Sequence, residues 1–213
     1  MICRRYYAFR LGGAIEGKLE EDSRLTAFKK EWFEGKKALD IGCNSGDMTL
    51  EIGAYPFTCT LDNELTREDP SSNTVAVRFP YNVVFKRENI VLDRHTGKDY
   101  DVITWSVHPL SLSVTKWVHL FHGDDGLKQL FHLVYALLMP GGRFILEPQK
   151  WKSYYNRKHT NATTLANYDR IALRPKDFQE YLCATVGFTS VELLKVCSTS
   201  THGFKRPIYL YTK

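Results

Sequence analysis

The segment KKALDIGCNSGDMTL (36–50) limits the possible folds more than any other stretch of the chain. An apolar run suited to a buried strand passes into a turn carrying Gly42 and Gly46, and a helical pattern over 46–54 follows. Glycines at those places permit a tight turn and let a ligand approach the backbone closely. The next apolar run, FTCTLD (57–62), reads as a second strand. It ends on Asp62, where a carboxylate is placed to accept hydrogen bonds from ribose hydroxyls. A third strand, NVVFKREN (82–89), ends on Asn89, placed to hold an adenine edge. The turn lacks the GxxxxGK pattern of a P-loop, and its G-x-N-x-G form departs from the dinucleotide fingerprint G-x-G-x-x-G. A glycine turn that serves packing alone is the competing reading. The strand before it, the helix after it and the acidic end of the next strand together favour a nucleotide-type cofactor.

The same alternation continues down the chain. YDVITWSV (100–107), RFILEPQ (143–149), SVELLKVC (190–197) and RPIYLYTK (206–213) read as strands. GLKQLFHLVYALL (126–138) puts Leu127, Leu130, Phe131, Val134 and Leu138 on one helical face, and the PGG at 140–142 stops that helix. RPKDFQEYLCATV (174–186) reads as a helix with proline in its first turn. Strands alternating with helices predict an α/β, Rossmann-like fold with a mostly parallel sheet. The last two strands lack a helix between them, which predicts an antiparallel pair at the edge. A chain of 213 residues suffices for one domain with a substantial core. Its composition, 43% hydrophobic and 25% charged, is that of a soluble globular protein. No run is long and apolar enough to cross a bilayer, and MICRRYYAFR lacks a secretory leader's apolar core. Cys3, Cys43, Cys59, Cys183 and Cys197 form no CxxC pair, so neither a metal site nor a disulfide framework is expected. The net charge of +5 permits a nucleic-acid partner without requiring one.

Residues 113–126, SVTKWVHLFHGDDG, crowd Lys116, Trp117, His119 and His122 ahead of an acidic, glycine-bounded turn. The stretch is expected to follow the fourth strand as a loop that presents Lys116 to an anion. Trp117 either shapes the pocket and stacks a terminal base or anchors the loop in the core. His122 reads as a hydrogen-bonded loop residue, and Asp124 and Asp125 as caps of the following helix. The basic segment KSYYNRKHT (152–160), with Tyr154 and Tyr155 interleaved, suits either a phosphate backbone with stacked bases or a solvated loop.

The glycine turn is similar to the first motif of S-adenosylmethionine-dependent methyltransferases. A longer series is more specific: RYYAFR (5–10), DSRL (22–25), EWFEGKKALDIGCNSGDMTL (31–50), VTKWVHLFHGDDGL (114–127), LMPGGRFILEPQKW (138–151) and GFKRPIYLY (203–211). In that order they resemble the bicoid-interacting-protein family of RNA methyltransferases, most closely its methylphosphate-capping branch. The resemblance covers nearly the whole chain. It implies a class I methyltransferase fold with a seven-stranded sheet, and S-adenosylmethionine as donor. It implies one methyltransferase domain over 1–213, with residues 1–30 covering substrate and cofactor and 31–213 forming the core. Carried over by motif, Tyr7, Arg24, Gly42, Cys43, Asn44, Asp62, Asn63, Asn89, Ile90 and Leu112 would contact the cofactor. Tyr6, Arg10 and Lys116 would act on the RNA 5′ phosphates, with Trp117, His119, Lys150 and Arg206 also on the RNA side. Two departures stand out: extra residues between the fourth strand and Lys116, and a short connection after Asp62.

The activity implied is methylation of the γ-phosphate of a small non-coding RNA, within a nuclear ribonucleoprotein. A terminal phosphate oxygen is ionised at neutral pH, so it needs positioning and charge neutralisation rather than a strong base. Arginine binds two phosphate oxygens in a fork, lysine offers a compact charge, and Tyr6 donates one hydrogen bond. Two other readings remain at this point. One is an RNA-binding ribonucleoprotein subunit whose catalysis is dispensable. The other is a 5′-monophosphate RNA methyltransferase of the sister branch.

Overall fold

The computed structural model describes residues 25–43, 49, 50, 52, 83–105, 114–198 and 205–213. Tyr6, Tyr7, Arg10, Arg24, Asn44, Asp62, Asn63 and Leu112 lie outside them, as does the expected second strand at 57–62.

The described strands form one five-stranded sheet in the order β1-β2-β3-β5-β4. Here β1 is Ala38–Asp40, β2 is Tyr100–Trp105, β3 is Leu138–Leu146, β4 is Ser190–Ser198 and β5 is Lys205–Thr212. β1 pairs parallel to β2, with Asp40 opposite Thr104, and β2 pairs parallel to β3. β5 runs antiparallel to both β3 and β4. The antiparallel pair at the sheet's edge is therefore present, with β4 outermost. The described pairings divide evenly between parallel and antiparallel rather than being mostly parallel.

Both faces of the sheet are covered, and successive strand residues alternate between them. Ile103, Trp105, Phe144, Leu146 and Tyr211 join one cluster with Leu127, Leu130, Phe131 and Val134. Val102, Ile145, Ile208 and Leu210 join the other, with Leu25, Trp32 and Phe33. The apolar face expected at 127, 130, 131 and 134 is thus the one buried.

Helix α1 spans Val114–Leu137, divided by a non-helical Gly123 at φ 66°, ψ −167°. It starts well before the expected 126 and takes in the segment read as a loop. Helical spacing was hard to see there because Lys116 and His119 interrupt the apolar pattern on a face that is nonetheless buried. The helix ends at Leu137, and Pro140-Gly141-Gly142 fall in the irregular start of β3, where the register with β2 shifts.

Short helices follow β3: α2 at Trp151–Tyr155 and α3 at Ala162–Arg170. The single helix expected over 174–186 is instead a 3-10 turn (Pro175–Asp177), a brief α4 (Phe178–Glu180) and a π-helical stretch (Tyr181–Val186). Residues 83–89 carry no strand, in place of the one expected, because their backbone joins no hydrogen-bonded ladder. Thr49, Leu50 and Ile52 are helical, as the glycine-turn pattern predicted.

Phe131 is fully buried and meets Trp105 and Phe178 edge-on at centroid distances of 5.8 and 5.3 Å. Phe131→Ala is expected to cost about 3–5 kcal/mol, a large share of a typical domain's stability. Urea unfolding of both proteins measures it. A loss below about 1 kcal/mol would mean that α1 does not pack on the sheet as described.

Candidate functional site

Beyond the carboxyl ends of β1 and β2 lies a cavity of about 1050 Å³. Pockets in α/β sheets form at this end, and this volume sits at the upper end of the range of roughly 300–1,000 Å³ for small-molecule sites. Gly42 and Cys43 wall it from the turn after β1, Asn89 and Ile90 from the 83–91 segment, and Trp117 and Phe121 from α1. At the end of β1, Asp40 accepts hydrogen bonds from Thr49 (2.6 Å) and Thr104 (2.9 Å). The carboxylate is therefore held by the helix after the turn and by the neighbouring strand.

Gly42 has φ 75°, and a Cβ there would collide with the Val114 side chain. Its lack of a side chain lets the first turn of α1 close onto the glycine corner. The half-buried Cys43 thiol is pushed up in pKa by burial and then by Asp40, so it stays protonated. Asn89 accepts the Val91 N–H (3.1 Å) through its side-chain oxygen, and its own N–H binds Asp93 (2.7 Å). That oxygen holds a local turn instead of ending a strand.

The first half of α1 presents two chemistries on two faces. Val114, Trp117, Val118, Phe121 and His122, at helical spacing, line the cavity. Thr115, Lys116, His119 and Leu120 are buried on the other side. Lys116 is only 6% exposed. Its ammonium donates to Ser153 Oγ (3.1 Å), which donates on to Gln149 Oε1 (2.5 Å). Among the described residues no carboxylate forms an ion pair with it. Burial first, then the charges of Arg157 and Arg206, lower its pKa to about 8. Arg206 lies 3.7 Å from the buried carboxylate of Glu147. Among the described residues, Lys116, Arg157 and Arg206 thus come together near the Glu147 carboxylate, forming a cation-rich cluster on the helix face away from the cavity.

A family model described as Bicoid-interacting protein 3 matches residues 100–213, the half of the chain that carries this cluster. The chain belongs to the Bicoid-interacting protein 3 family. A probable RNA methyltransferase of Arabidopsis thaliana is 38% identical over 99% of this chain and 79% of its own length. The 7SK snRNA methylphosphate capping enzyme of Mus musculus is 34% identical over 98% of this chain. This chain spans only 40% of that enzyme's length. A crystal structure of a SAM-dependent methyltransferase from Methanosarcina mazei superposes with a TM-score of 0.52 and 16% identity, covering 91% of this chain and 98% of its own. That likeness extends to the α/β methyltransferase fold.

Of the residues that this Bicoid-interacting protein 3 chain was expected to use, Gly42, Cys43, Asn89 and Ile90 meet at the cavity. Lys116 and Arg206 meet in the cation cluster. Lys150 is exposed just ahead of α2. Trp117 stacks on Phe121 at a centroid distance of 5.6 Å, and the Lys116 ammonium lies 5.4 Å from its ring. It lines the cavity and so stands where cavity and cluster meet. His119 departs from expectation: it is fully buried, with both ring nitrogens turned to Asp124 and Tyr154, so it backs the cluster and does not face RNA. Asp124 likewise departs from a helix-capping role, since its oxygens bind His119 and the N–H groups of Ala172 and Leu173. His122 is exposed on the helix and not in a loop.

Arg157, Ser153, Gln149 and Glu147 were not singled out from the sequence as site residues. Arg157 was signalled only as part of the basic run 152–160, and Gln149 and Glu147 only as letters of the LEPQKW block. The two interleaved tyrosines separate: Tyr154 is fully buried, while Tyr155 is 57% exposed.

Gly42→Ala is expected to destabilise the protein and weaken cofactor binding, because the new methyl group meets Val114 and the backbone is left-handed. Val114→Ala in the same chain should recover part of the loss by removing the collision. Thermal melting with and without S-adenosylhomocysteine tests this. Full tolerance of Gly42→Ala would contradict the packed glycine corner.

Proposed function

We propose that this protein is an S-adenosylmethionine-dependent methyltransferase that methylates the 5′-terminal γ-phosphate of a small non-coding RNA. The observation that carries the reading is Lys116: a buried ammonium with two arginines near it and, among the described residues, no carboxylate paired to it, beside a cavity at the sheet's glycine corner.

The cavity fits the cofactor in size, in its position past β1 and β2, and in its mix of apolar walls with the exposed backbone of Gly42. Gly42, Cys43, Asn89 and Ile90 would hold it, and Tyr7, Arg24, Asn44, Asp62, Asn63 and Leu112 are proposed to complete the site. When bound, S-adenosylmethionine supplies an electrophilic methyl group and leaves as S-adenosylhomocysteine. The acceptor oxygen is already ionised, so the protein's residues have no proton to remove. Lys116, with Tyr6 and Arg10, would hold the terminal phosphate, and Arg206 and Arg157 would offset charge on the phosphates behind it. Trp117 lines the cavity and lies beside the Lys116 ammonium, so it stands where the cofactor and phosphate compartments would meet. Proximity and orientation supply up to about 7–11 kcal/mol in favourable cases, which suits a reaction without acid–base steps.

The finer parts of this proposal rest on the resemblance of the sequence blocks to the family. Residues 1–213 act as one methyltransferase domain in which 1–30 cover the substrate, and the complete sheet has seven strands. The RNA stays bound after methylation within a nuclear ribonucleoprotein. The convergence of cations favours a polyphosphate end over a monophosphate.

Transfer of labelled methyl from S-adenosylmethionine to 5′-triphosphate and 5′-monophosphate RNA tests the proposal. Transfer to the triphosphate in excess of the monophosphate supports it. Transfer to neither, by folded protein that binds cofactor, would leave only RNA binding. Hydrogen bonds to charged groups contribute about 1.5–3 kcal/mol, so Lys116→Gln should lower transfer roughly 10- to 100-fold. The pH dependence has a definite sign. A phosphate favours the charged ammonium, so RNA affinity is full below the free pKa of about 8 and falls as pH rises through it. Lys116→Arg should flatten that fall, since arginine stays protonated. An unchanged alkaline profile in Lys116→Arg would show that another group titrates.

A further inference from the structure

A buried hydrogen-bond chain stands behind the cation cluster and is not used by the chemistry above. Asp124 lies just past the Gly123 break in α1. Its Oδ1 is 2.7 Å from His119 Nε2, and its Oδ2 accepts the N–H groups of Ala172 and Leu173, each at 3.1 Å. On the other side of the ring, His119 Nδ1 is 3.4 Å from the Tyr154 hydroxyl. His119 and Tyr154 are both fully buried, their rings packed edge-on at 5.5 Å and 88°. An ionised carboxylate only accepts, so Nε2 carries the imidazole proton and Nδ1 accepts from the tyrosine. Burial lowers the His119 pKa against the opposing pull of Asp124, which keeps the ring neutral and the order of donors fixed.

This chain is the second of two rungs between α1 and α2. The first is Lys116 to Ser153. The rungs leave α1 one turn apart, at 116 and 119, and reach adjacent residues of α2, 153 and 154. Helix α2 has five residues and no side-chain cap at its start. A helix that short has little stability of its own, so what it is tied to sets its position. Tyr154 cannot slide without carrying Ser153 with it, or Arg157, which lies two residues past the end of α2.

We propose that Asp124 is a positioning residue: through His119 and Tyr154 it holds α2 so that Ser153 and Arg157 stay against Lys116 and the phosphate site keeps its shape. The inference rests on the reading of Lys116 as the phosphate contact. Asp124 does not line the cavity and acts only through its partners.

The test uses the whole chain and compares wild type with Asp124→Asn, Tyr154→Phe, their double variant, and Asp125→Asn as an exposed neighbour. Direct binding gives Kd for 5′-triphosphate RNA and, separately, for S-adenosylhomocysteine, with thermal melting alongside. Loss of one such hydrogen bond should raise the RNA Kd about five- to tenfold in each single variant and leave the S-adenosylhomocysteine Kd within about twofold. The double variant should be no worse than the stronger single, because both cut the same chain. In a Lys116→Gln background, Tyr154→Phe should have no further effect on RNA binding. An RNA Kd within twofold of wild type in Tyr154→Phe would overturn the proposal. So would equal losses in RNA and cofactor binding that track the melting temperature, which would make Asp124 a general stabiliser. If Asp124→Asn does not fold, Tyr154→Phe decides alone, since it removes a single oxygen. Because the readout is binding, absence of methyl transfer by wild type would count against the proposed activity and leave this test intact.

Discussion

The site depends on an ammonium group held out of water with no carboxylate paired to it among the described residues. Burying a charge is unfavourable unless something answers it. Among the described residues Lys116 is answered by the Ser153 hydroxyl and the face of the Trp117 ring, and the nearby arginines make its charged form less favourable still. Such a group is primed for an anion: an incoming phosphate supplies the charge that the protein withholds. Perturbed, buried cations of this kind gather at functional sites because the stability they give up is recovered when ligand binds.

Helix α1 connects that cation to the rest of the fold. Its second half packs on the sheet through Leu127, Leu130, Phe131 and Val134, which fixes the helix axis. Its first half, set off by the Gly123 break, is held by its own contacts, with Val114 against Gly42, Val118 in the main core and Lys116 bonded to Ser153. One face closes on Gly42 and walls the cavity with Trp117 and Phe121, and the other carries Lys116 and His119 toward α2. A small third core of Leu120, Tyr154 and Ile171, with Trp117, Trp151 and Tyr168 against it, sits beneath this junction and keeps it dry. The cavity and the cation cluster are therefore both built on the first half of α1. The dryness matters electrostatically, because an ion–ion attraction is far stronger where water is excluded.

Much of the scaffold was legible in the sequence. Strand runs such as YDVITW and RPIYLYT show β-rich, apolar stretches bounded by turns, and the lack of a helix between the last two strands foretold their antiparallel pairing. Where the reading failed, long-range packing had overridden the local pattern. Lys116 and His119 look like surface residues, yet both are buried, and their polarity hid the helix that carries them. NVVFKREN has strand propensity but no ladder partner in the structure. The partners of Lys116 come from residues 37 to 90 positions further along, and no local spacing announces Ser153, Arg157 or Arg206. The family blocks pointed to the right segments, while the division of labour within them needed three-dimensional contacts.

The most direct measurement is a titration of the Lys116 side-chain amine, followed by nitrogen-detected NMR in selectively labelled protein. It would be run free, with a 5′-triphosphate oligonucleotide, and with the same oligonucleotide ending in a 5′ hydroxyl. The account predicts an amine that titrates near 8 in the free protein. It predicts that the value climbs by more than a unit with the triphosphate and stays in place with the hydroxyl end. A Lys116 titration that is indifferent to the terminal phosphate would contradict the account at its centre.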